Sequence, residues 1–217
     1  PLEENIAISK EYLKLAAEQR GSFLMESVEG GEVRGRFSMI GFAPDLIWRS
    51  NGAESEINRN AATDLETFEL LKGASLDTLA ALLEESRIDI PPELPPMSAG
   101  LFGYFGYDIV RQIERLPDDN PDAIGIPDAV FFRPTIIAVF DNVADKVTLI
   151  TPVWPDPAID AATAHNSAHA RLDDSVSRFD HGVPRTATVP AGSEATLNFT
   201  SNRTRGEYHA MVEQAKE

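Results

Sequence analysis

Apolar residues in the first part of the chain follow two different periods. Apolar side chains recur at helical spacing from Ile8 to Ala16, and Gly21 supplies a stop signal, which predicts an amphipathic helix. After Gly21 the period becomes two, as in a half-buried strand. We therefore expect residues 22–28 and 36–42 to form an antiparallel hairpin.

A second pair of strands and a second helix follow. Residues 45–50 and 54–58 are predicted to be short strands, because the Asn51-Gly52 dipeptide between them suits a tight turn with positive φ. Ser75 begins a predicted helix that carries leucines and alanine on one face.

The middle of the chain predicts a further hairpin. Residues 98–107 are expected to be a buried strand and residues 108–116 a short helix. Residues 129–140 and 146–153 are apolar on both faces, which favours strands that are covered on both sides. Pro134 has no N–H to donate and therefore predicts a sheet edge or a bulge.

A long third helix is predicted to begin at Asp156-Pro157, because proline is favoured in a first helical turn. Its predicted apolar stripe has helical spacing and consists of His165, His169, Leu172, Val176 and Phe179. Since the strands arrive as hairpins and not as alternating βαβ units, the predicted class is α+β, with antiparallel β-sheets built from hairpins and flanking helices.

Composition changes near the carboxyl end. Residues 181–195 are rich in Gly, Pro, Thr and Ala, which predicts a mobile linker between a domain at 1–180 and a segment at 196–217. That segment contains a predicted strand at residues 196–201 and a helix that no stop signal ends. We therefore expect the sequence to be a fragment of a longer protein.

The final helix has a clear beginning. Thr204 and Glu207 are three residues apart, the spacing of a capping box in which each side chain accepts a hydrogen bond from the other residue's N–H.

The charge balance excludes several classes of partner. The 217 residues include 19 Lys and Arg against 35 Asp and Glu, a net charge of −16, and the basic residues form no cluster. Nucleic acid and anionic membranes are therefore not expected as partners. The absence of cysteine excludes disulfides and thiolate metal sites. No apolar run approaches the ~20 residues of a membrane span, and we expect a cytoplasmic protein.

Three constellations suggest chemistry but have simpler interpretations. The glycines at 100, 103 and 106 do not have the spacing of a phosphate-binding loop, and a strand packed closely against another element is favoured. His165 and His169 have the spacing of a two-histidine metal site but lack an accompanying glutamate base, so packing or solvent-facing histidines are favoured. The third set is a cation site or, more simply, a solvated turn, formed by Asp118, Asp119 and Asp122.

The Glu26-Ser27 pair is the most informative polar feature, because it interrupts an apolar strand. Burying a carboxylate costs several kcal/mol unless it has a partner. Strand alternation places the two side chains on opposite faces. Either a bulge redirects one of them, or only one contacts a ligand, or the strand is simply an edge strand with one solvated face.

Two long motifs resemble a known family. Residues 22–48, SFLMESVEGGEVRGRFSMIGFAPDLIW, and residues 95–117, PPMSAGLFGYFGYDIVRQIERLP, are similar to the two signatures of the amino-terminal domain of anthranilate synthase component I. The departures are mild: Met25 and Phe37 replace the family's Leu and Tyr, and Ala99 replaces a frequent Gly.

The resemblance implies a parent enzyme that converts chorismate to anthranilate and pyruvate. It also implies Mg²⁺ as cofactor and ammonia from the glutamine amidotransferase subunit, a partner. In that family the chorismate and metal sites lie in a carboxyl-terminal domain, of which residues 196–217 would be the start. No catalytic residue or metal ligand is therefore carried over, and we expect these residues alone to bind no cofactor and to be inactive.

The resemblance further implies that the amino-terminal domain contributes to the feedback site for L-tryptophan, the inhibitor. The motif match assigns Glu26 and Ser27 to that site, with Arg36 and Ser38 facing them from the next strand. The apolar side chains beside them, suited to an indole ring, are Leu24, Met25 and Met39.

Two alternatives remain. One is the large component of aminodeoxychorismate synthase, in which a similar domain holds tryptophan structurally, although the Glu26-Ser27 strand and the Arg36–Ser38 hairpin favour anthranilate synthase. The other is a free-standing small-molecule binding module.

Overall fold

The computed structural model describes residues 2–16, 19–27, 35–117, 121–181 and 200–216. The helices are α1 (Leu2–Leu15), α2 (Ser75–Glu85), α3 (Ala161–Asp180) and α4 (Arg205–Lys216), with a 3₁₀ helix at Tyr107–Gln112. The strands are β1 (Phe23–Met25), β2 (Phe37–Asn51), β3 (Glu54–Asn58), β4 (Glu69–Leu70), β5 (Phe102–Phe105), β6 (Ala129–Asp141) and β7 (Lys146–Ile150). Backbone contacts divide the chain into two units, Pro1–Pro184 and Arg185–Glu217.

The first unit is built around two long antiparallel strands. β2 has 15 residues and β6 has 13, and they pair over most of their length. The sheet has the order β4-β3-β2-β6-β5, while β1 pairs with the first part of β2 and β7 with the last part of β6. All of these pairings are antiparallel. The predicted α+β class, with antiparallel hairpins and flanking helices, is confirmed.

A bulge joins two predicted strands into one. Residues 36–42 and 45–50 both belong to β2, and the register with β6 shifts between Pro44 and Leu46. Pro44 lies opposite Pro134, so neither residue can donate a ladder hydrogen bond there. The bulge predicted from Pro134 is confirmed. Pro134 also lies at a local edge, because β5 pairs with β6 only as far as Phe132 and β7 only from Ile137 onward.

Three apolar clusters cover the two faces of the sheet. The cluster beneath α1 contains Ile8, Leu15, Ala16, Ile40, Phe42, Ile136, Ala138 and Phe140. The cluster beneath α2 contains Leu46, Trp48, Ile57, Leu82 and Ala129. The third lies beside β7 and contains Ile137, Val139 and Ile150.

The predicted third helix exists, but it begins later than predicted and its buried face is only in part the predicted one. α3 begins at Ala161, because the Asp160 carboxylate accepts the N–H of Thr163 at 3.0 Å and caps the helix. The buried residues are Ala168 and Ser175, two small residues seven apart. Of the predicted stripe, Phe179 packs against the cluster beneath α1, whereas His165, His169 and Val176 are exposed.

Other boundaries also differ from the predictions. α1 begins at Leu2 and ends at Leu15, so the observed helix begins earlier than the predicted start at Ile8. The short helix expected at residues 108–116 is the 3₁₀ helix, and the two-residue strand β4 was not predicted. The strand expected at residues 98–107 is the shorter β5, which lies at the sheet edge and is mostly exposed rather than buried.

The second unit contains α4. The Thr204 N–H donates to Glu207 Oε2 at 2.7 Å, and the Glu207 N–H donates to Thr204 Oγ1 at 3.3 Å. The predicted capping box is therefore confirmed. The predicted linker after residue 181 and the first four residues of the strand expected at 196–201 lie outside the described residues.

Gly103 shows why glycine is needed in β5. A Cβ at this position would overlap the carbonyl oxygen of Val130 on β6, because the two backbones approach closely. The interpretation of the glycine run as closely packed is therefore confirmed at Gly103 and at Gly106, which lies close to Asp128, but not at Gly100, where nothing lies within 4 Å of an added Cβ.

We expect Gly103→Ala to lower the free energy of unfolding by about 1–3 kcal/mol, because the added methyl group must displace backbone. Gly206→Ala is the matched control. Apart from its chain neighbours and the backbone of its own helix, no atom lies within 4 Å of a Cβ built at Gly206. Denaturant unfolding of both variants measures the difference. Equal stability of wild type and Gly103→Ala would contradict the close packing of β5 on β6.

Candidate ligand site at the end of β1

The predicted site residues lie where β1 leaves the sheet. The β1–β2 ladder pairs Leu24 with Ile40 and Met25 with Met39, and it ends there. The next contact is made by a side chain, since the Ser27 N–H donates to Ser38 Oγ at 3.2 Å. Ser38 is completely buried. Ser27 and Ser38 are therefore in direct contact, as the hairpin prediction requires.

Glu26 has an unusual environment for a carboxylate. Its side chain is partly buried, and Oε1 is inaccessible to solvent and has no hydrogen-bond partner among the residues the structure describes. A buried acceptor without a partner costs about 1–3 kcal/mol, and more when it is charged. Native proteins contain few such groups, and a bound ion, water or ligand is one explanation for them. The oxygen is therefore suited to accept a hydrogen bond from a bound cationic group.

An apolar surface lies beside this pair, on one face of the hairpin. The Phe23 ring covers Gly41 and stacks on Phe102, with ring centroids 5.0 Å apart. Met25 and Met39 are directly paired, and 39% of Met25 is exposed. Leu24, in contrast, packs against the cluster beneath α1 on the opposite face. The structure thus keeps Met25 and Met39 beside a possible ring site and separates Leu24 from them.

Arg36 is held by an ion pair that the sequence analysis missed. Its Nε and Nη2 lie 2.9 and 2.6 Å from the two carboxylate oxygens of Asp141, at the far end of β6. The guanidinium also lies 4.8 Å from the centroid of the Phe37 ring. Arg36 is therefore fixed next to the hairpin, but its charge is already balanced by a protein carboxylate.

The same ion pair changes the titration of Asp141. Hydrogen bonds from Arg36, together with the N–H groups of Ala144 and Val143, lower the pKa of Asp141 to about 2 from the usual 3.8. No local motif identifies this aspartate, because its partner is 105 residues away and only the β2–β6 register brings them together.

The other candidate groups do not form a site in the described ranges. His165 and His169 are exposed, with ring centroids 4.4 Å apart. Asp122 accepts the N–H groups of Ile124 and Gly125, which confirms a turn at that residue, while Asp118 and Asp119 lie outside the described residues. Within the described part of the chain, no group of three or more His, Asp or Glu residues is placed to hold a metal ion.

The fold places the first unit among antiparallel α+β domains. The crystal structure of anthranilate synthase component I from Streptococcus pneumoniae TIGR4 shares this fold, with a TM-score of 0.60 and 20% sequence identity. The match covers 92% of this chain and 41% of that chain.

Sequence comparisons define the family. Residues 27–217 match the family model of the chorismate binding enzymes, and the chain belongs to that family. Anthranilate synthase component 1 of Cereibacter sphaeroides is 46% identical over 206 residues, and that of Mycolicibacterium smegmatis is 36% identical over 208 residues. These matches confirm the resemblance to anthranilate synthase component I.

The matches cover most of this chain but less than half of each relative. They include 94% and 93% of this chain but 41% and 38% of the two relatives, so the chain spans about two fifths of the curated relatives it matches.

No helix in the described ranges is both long and apolar enough to cross a membrane.

The Arg36–Asp141 pair predicts a defined dependence of stability on pH. Because the folded-state pKa of Asp141 lies below the usual value, the folded protein binds fewer protons there than the unfolded chain. The stabilisation is complete above about pH 4 and is lost as the pH falls towards about 2. We expect Asp141→Asn to have a lower melting temperature at neutral pH but a smaller decrease between about pH 5 and about pH 2.5.

Asp89→Asn is the control for this experiment, because Asp89 is exposed and has no ion-pair partner in the described part of the chain. Thermal melts by circular dichroism measure both variants. If Asp141→Asn lost stability in acid as steeply as wild type, the ion pair would not be a source of acid sensitivity.

Proposed function

We propose that this chain is the amino-terminal, tryptophan-sensing part of an anthranilate synthase component I. The parent enzyme converts chorismate and ammonia to anthranilate and pyruvate, and a glutamine amidotransferase subunit supplies the ammonia. The 46% identity to the Cereibacter sphaeroides relative, over 94% of this chain, is the observation that carries the proposal. The named relatives favour this enzyme over aminodeoxychorismate synthase and over a free-standing binding module.

In this proposal the catalytic chemistry belongs to the part of the relatives that this chain does not match. The described residues offer no metal-binding group of acids and histidines. Mg²⁺ and chorismate are therefore assigned to that remaining part, and residues 1–180 serve as the regulatory domain, followed by a linker at 181–195 and the first residues of the catalytic domain.

The environment of Glu26 supports tryptophan as the regulatory ligand. An amino acid carries an ammonium group, which is the natural partner for a buried carboxylate oxygen that has no partner among the described residues. The Ser27 hydroxyl lies next along the chain and is a donor for the ligand carboxylate. Met25 and Met39 offer an apolar, polarizable surface for the indole ring.

Arg36 and Ser38 act through their neighbours in this proposal. Ser38 accepts the Ser27 N–H and so determines where β1 leaves the sheet. Arg36 is neutralised by Asp141, which leaves the Glu26 charge to be balanced by the ligand. We therefore assign positioning roles to these two residues and ligand contacts to Glu26, Ser27 and Met25.

We expect the 217-residue chain by itself to produce no anthranilate from chorismate, Mg²⁺ and ammonium, because it spans about two fifths of its relatives. Anthranilate fluorescence compared with a protein-free blank measures this, and the full-length Cereibacter sphaeroides relative is the positive control. Fluorescence above the blank with this chain would show that the catalytic residues lie within it.

In the full-length enzyme, we expect Ser27→Ala to weaken inhibition by tryptophan about 5- to 150-fold, since a desolvated ligand group loses a partner worth ~1–3 kcal/mol. The chorismate KM should stay unchanged. Ser177→Ala, an exposed serine of α3, is the matched control. Normal inhibition in a fully folded Ser27→Ala enzyme would exclude Ser27 as a contact and leave Glu26 as the contact residue.

Glu26→Gln separates a ligand contact from a structural role. The amide has the same shape, and the carboxylate oxygen it replaces has no protein partner in the described structure, so the melting temperature should not fall. Tryptophan inhibition should weaken about 10-fold or more, because hydrogen bonds to charged groups are worth ~1.5–3 kcal/mol. Loss of stability with unchanged inhibition would show that Glu26 is a structural residue.

A further inference from the structure

A recess lies on the first unit, between α3 and the bulge of the central sheet. It has a volume of about 770 Å³. One side is formed by Ser167 and Arg171 of α3, and the floor by Ala43 and Pro44 of β2. Trp154, in the segment that follows β7, closes another side. We call this recess the α3 cleft.

The α3 cleft is lined by four arginines in a protein with a net charge of −16. Three of them are neutralised by carboxylates. These pairs are Arg20–Glu66, Arg59–Glu85 and Arg133–Asp45. The fourth, Arg171, has no carboxylate partner among the described residues. One carboxylate of the lining, Asp156, is likewise without an ion pair there and accepts the N–H of Ala158.

Arg171 is nevertheless held in place. Its Nε donates to Thr151 Oγ1 at 3.1 Å, and the side chain is partly buried. The terminal nitrogens Nη1 and Nη2 make no hydrogen bond within the described residues. Ser167 lies four residues earlier, on the same side of α3, and its hydroxyl is likewise unused there. Two adjacent side chains thus present free donors to one recess.

The floor of the cleft contains an uncommon backbone conformation. Ala43 has a φ of 51°, in the left-handed region that residues with a Cβ rarely adopt. Its carbonyl oxygen accepts a 2.7 Å hydrogen bond from Thr135 Oγ1, which holds the bulge in this shape. Strained residues cluster at functional sites, and bulges are over-represented next to them, so this feature supports the same recess independently of the arginine.

We propose that the α3 cleft binds a small oxyanion, a carboxylate or a phosphate, through the terminal nitrogens of Arg171 and the hydroxyl of Ser167. Planar guanidinium groups bind either anion through paired hydrogen bonds. The cleft is separate from the proposed tryptophan site, because Ser38 and Pro44 are six residues, or about 20 Å, apart along β2. The proposal therefore does not depend on the proposed function.

Tryptophan fluorescence provides a direct measurement. The chain has two tryptophans: Trp48 is completely buried beneath α2, whereas Trp154 lines the cleft. We would titrate the chain with inorganic phosphate and, separately, with malonate, holding ionic strength constant with NaCl so that general screening does not change. Isothermal titration calorimetry on the same samples gives the affinity independently of the fluorescence.

We expect a saturable signal with at least one probe, and about 10-fold or greater weakening in Arg171→Gln. Arg87→Gln removes an equal charge from an exposed ion pair outside the cleft and should bind as wild type does. Binding of phosphate alone identifies a phosphate ligand, and binding of malonate alone identifies a carboxylate ligand. Thermal melts show whether each variant is folded. If Arg171→Gln does not fold, the same titrations of Ser167→Ala and Arg171→Lys test the proposal. We expect both of these variants to bind the probe more weakly than wild type.

Two results would overturn the proposal. One is the absence of saturable binding of either probe up to about 50 mM, far above the ~1 mM range of weak specific ligands. The other is equal affinity of wild type and the folded cleft variants, which would assign the signal to another part of the surface.

Discussion

The antiparallel pairing of β2 with β6 is the interaction on which the rest of the first unit depends. Each strand is long enough to pair with two different neighbours on its outer edge, so β1, β3, β5 and β7 are all attached to this one pair. Because alternate residues point to opposite faces, the same register supplies Ile40 and Ala138 to the cluster beneath α1, and Ile137 and Val139 to the cluster beside β7. A slip of one residue would exchange the two faces and bury the wrong side chains.

The register also brings together charges that are distant in sequence. Arg36 precedes β2 and Asp141 ends β6, and they meet because the two strand ends are adjacent. Asp45 and Arg133 meet in the same way beside the bulge, where Arg133 Nε lies 2.8 Å from Asp45 Oδ1. Each ion pair links β2 and β6, or their adjacent ends, at one position. The proposed tryptophan site lies by the first pair, and the α3 cleft lies by the second.

The bulge and the end of β1 are the two places where the regular ladder stops. At the bulge, Pro44 and Pro134 face each other and neither has an N–H to donate, and the backbone of Ala43 lies in the left-handed region of φ. At the end of β1, Ser27 donates to a side chain instead of to a strand carbonyl. At both interruptions a side chain replaces the ladder, since Ser38 Oγ accepts the Ser27 N–H and Thr135 Oγ1 donates to the Ala43 carbonyl oxygen. Beside the first interruption Glu26 Oε1 has no partner among the described residues, and a ligand gains most from binding to such a group.

The sequence by itself determined the hairpins, the α+β class and the capping box of α4, because each of these is encoded by residues close together in the chain. It did not determine that residues 36–50 form one strand, that β5 is an exposed edge, or that α3 buries Ala168 and Ser175 rather than its histidines. Those features depend on which surface a segment meets, and local periodicity carries no information about a neighbour that is 100 residues away. Tertiary structure alone decided the Arg36–Asp141 pair and, among the described residues, the lack of a partner for Glu26 Oε1 and for the terminal nitrogens of Arg171. A polar atom is paired or unpaired only with respect to what folding brings within about 3 Å of it.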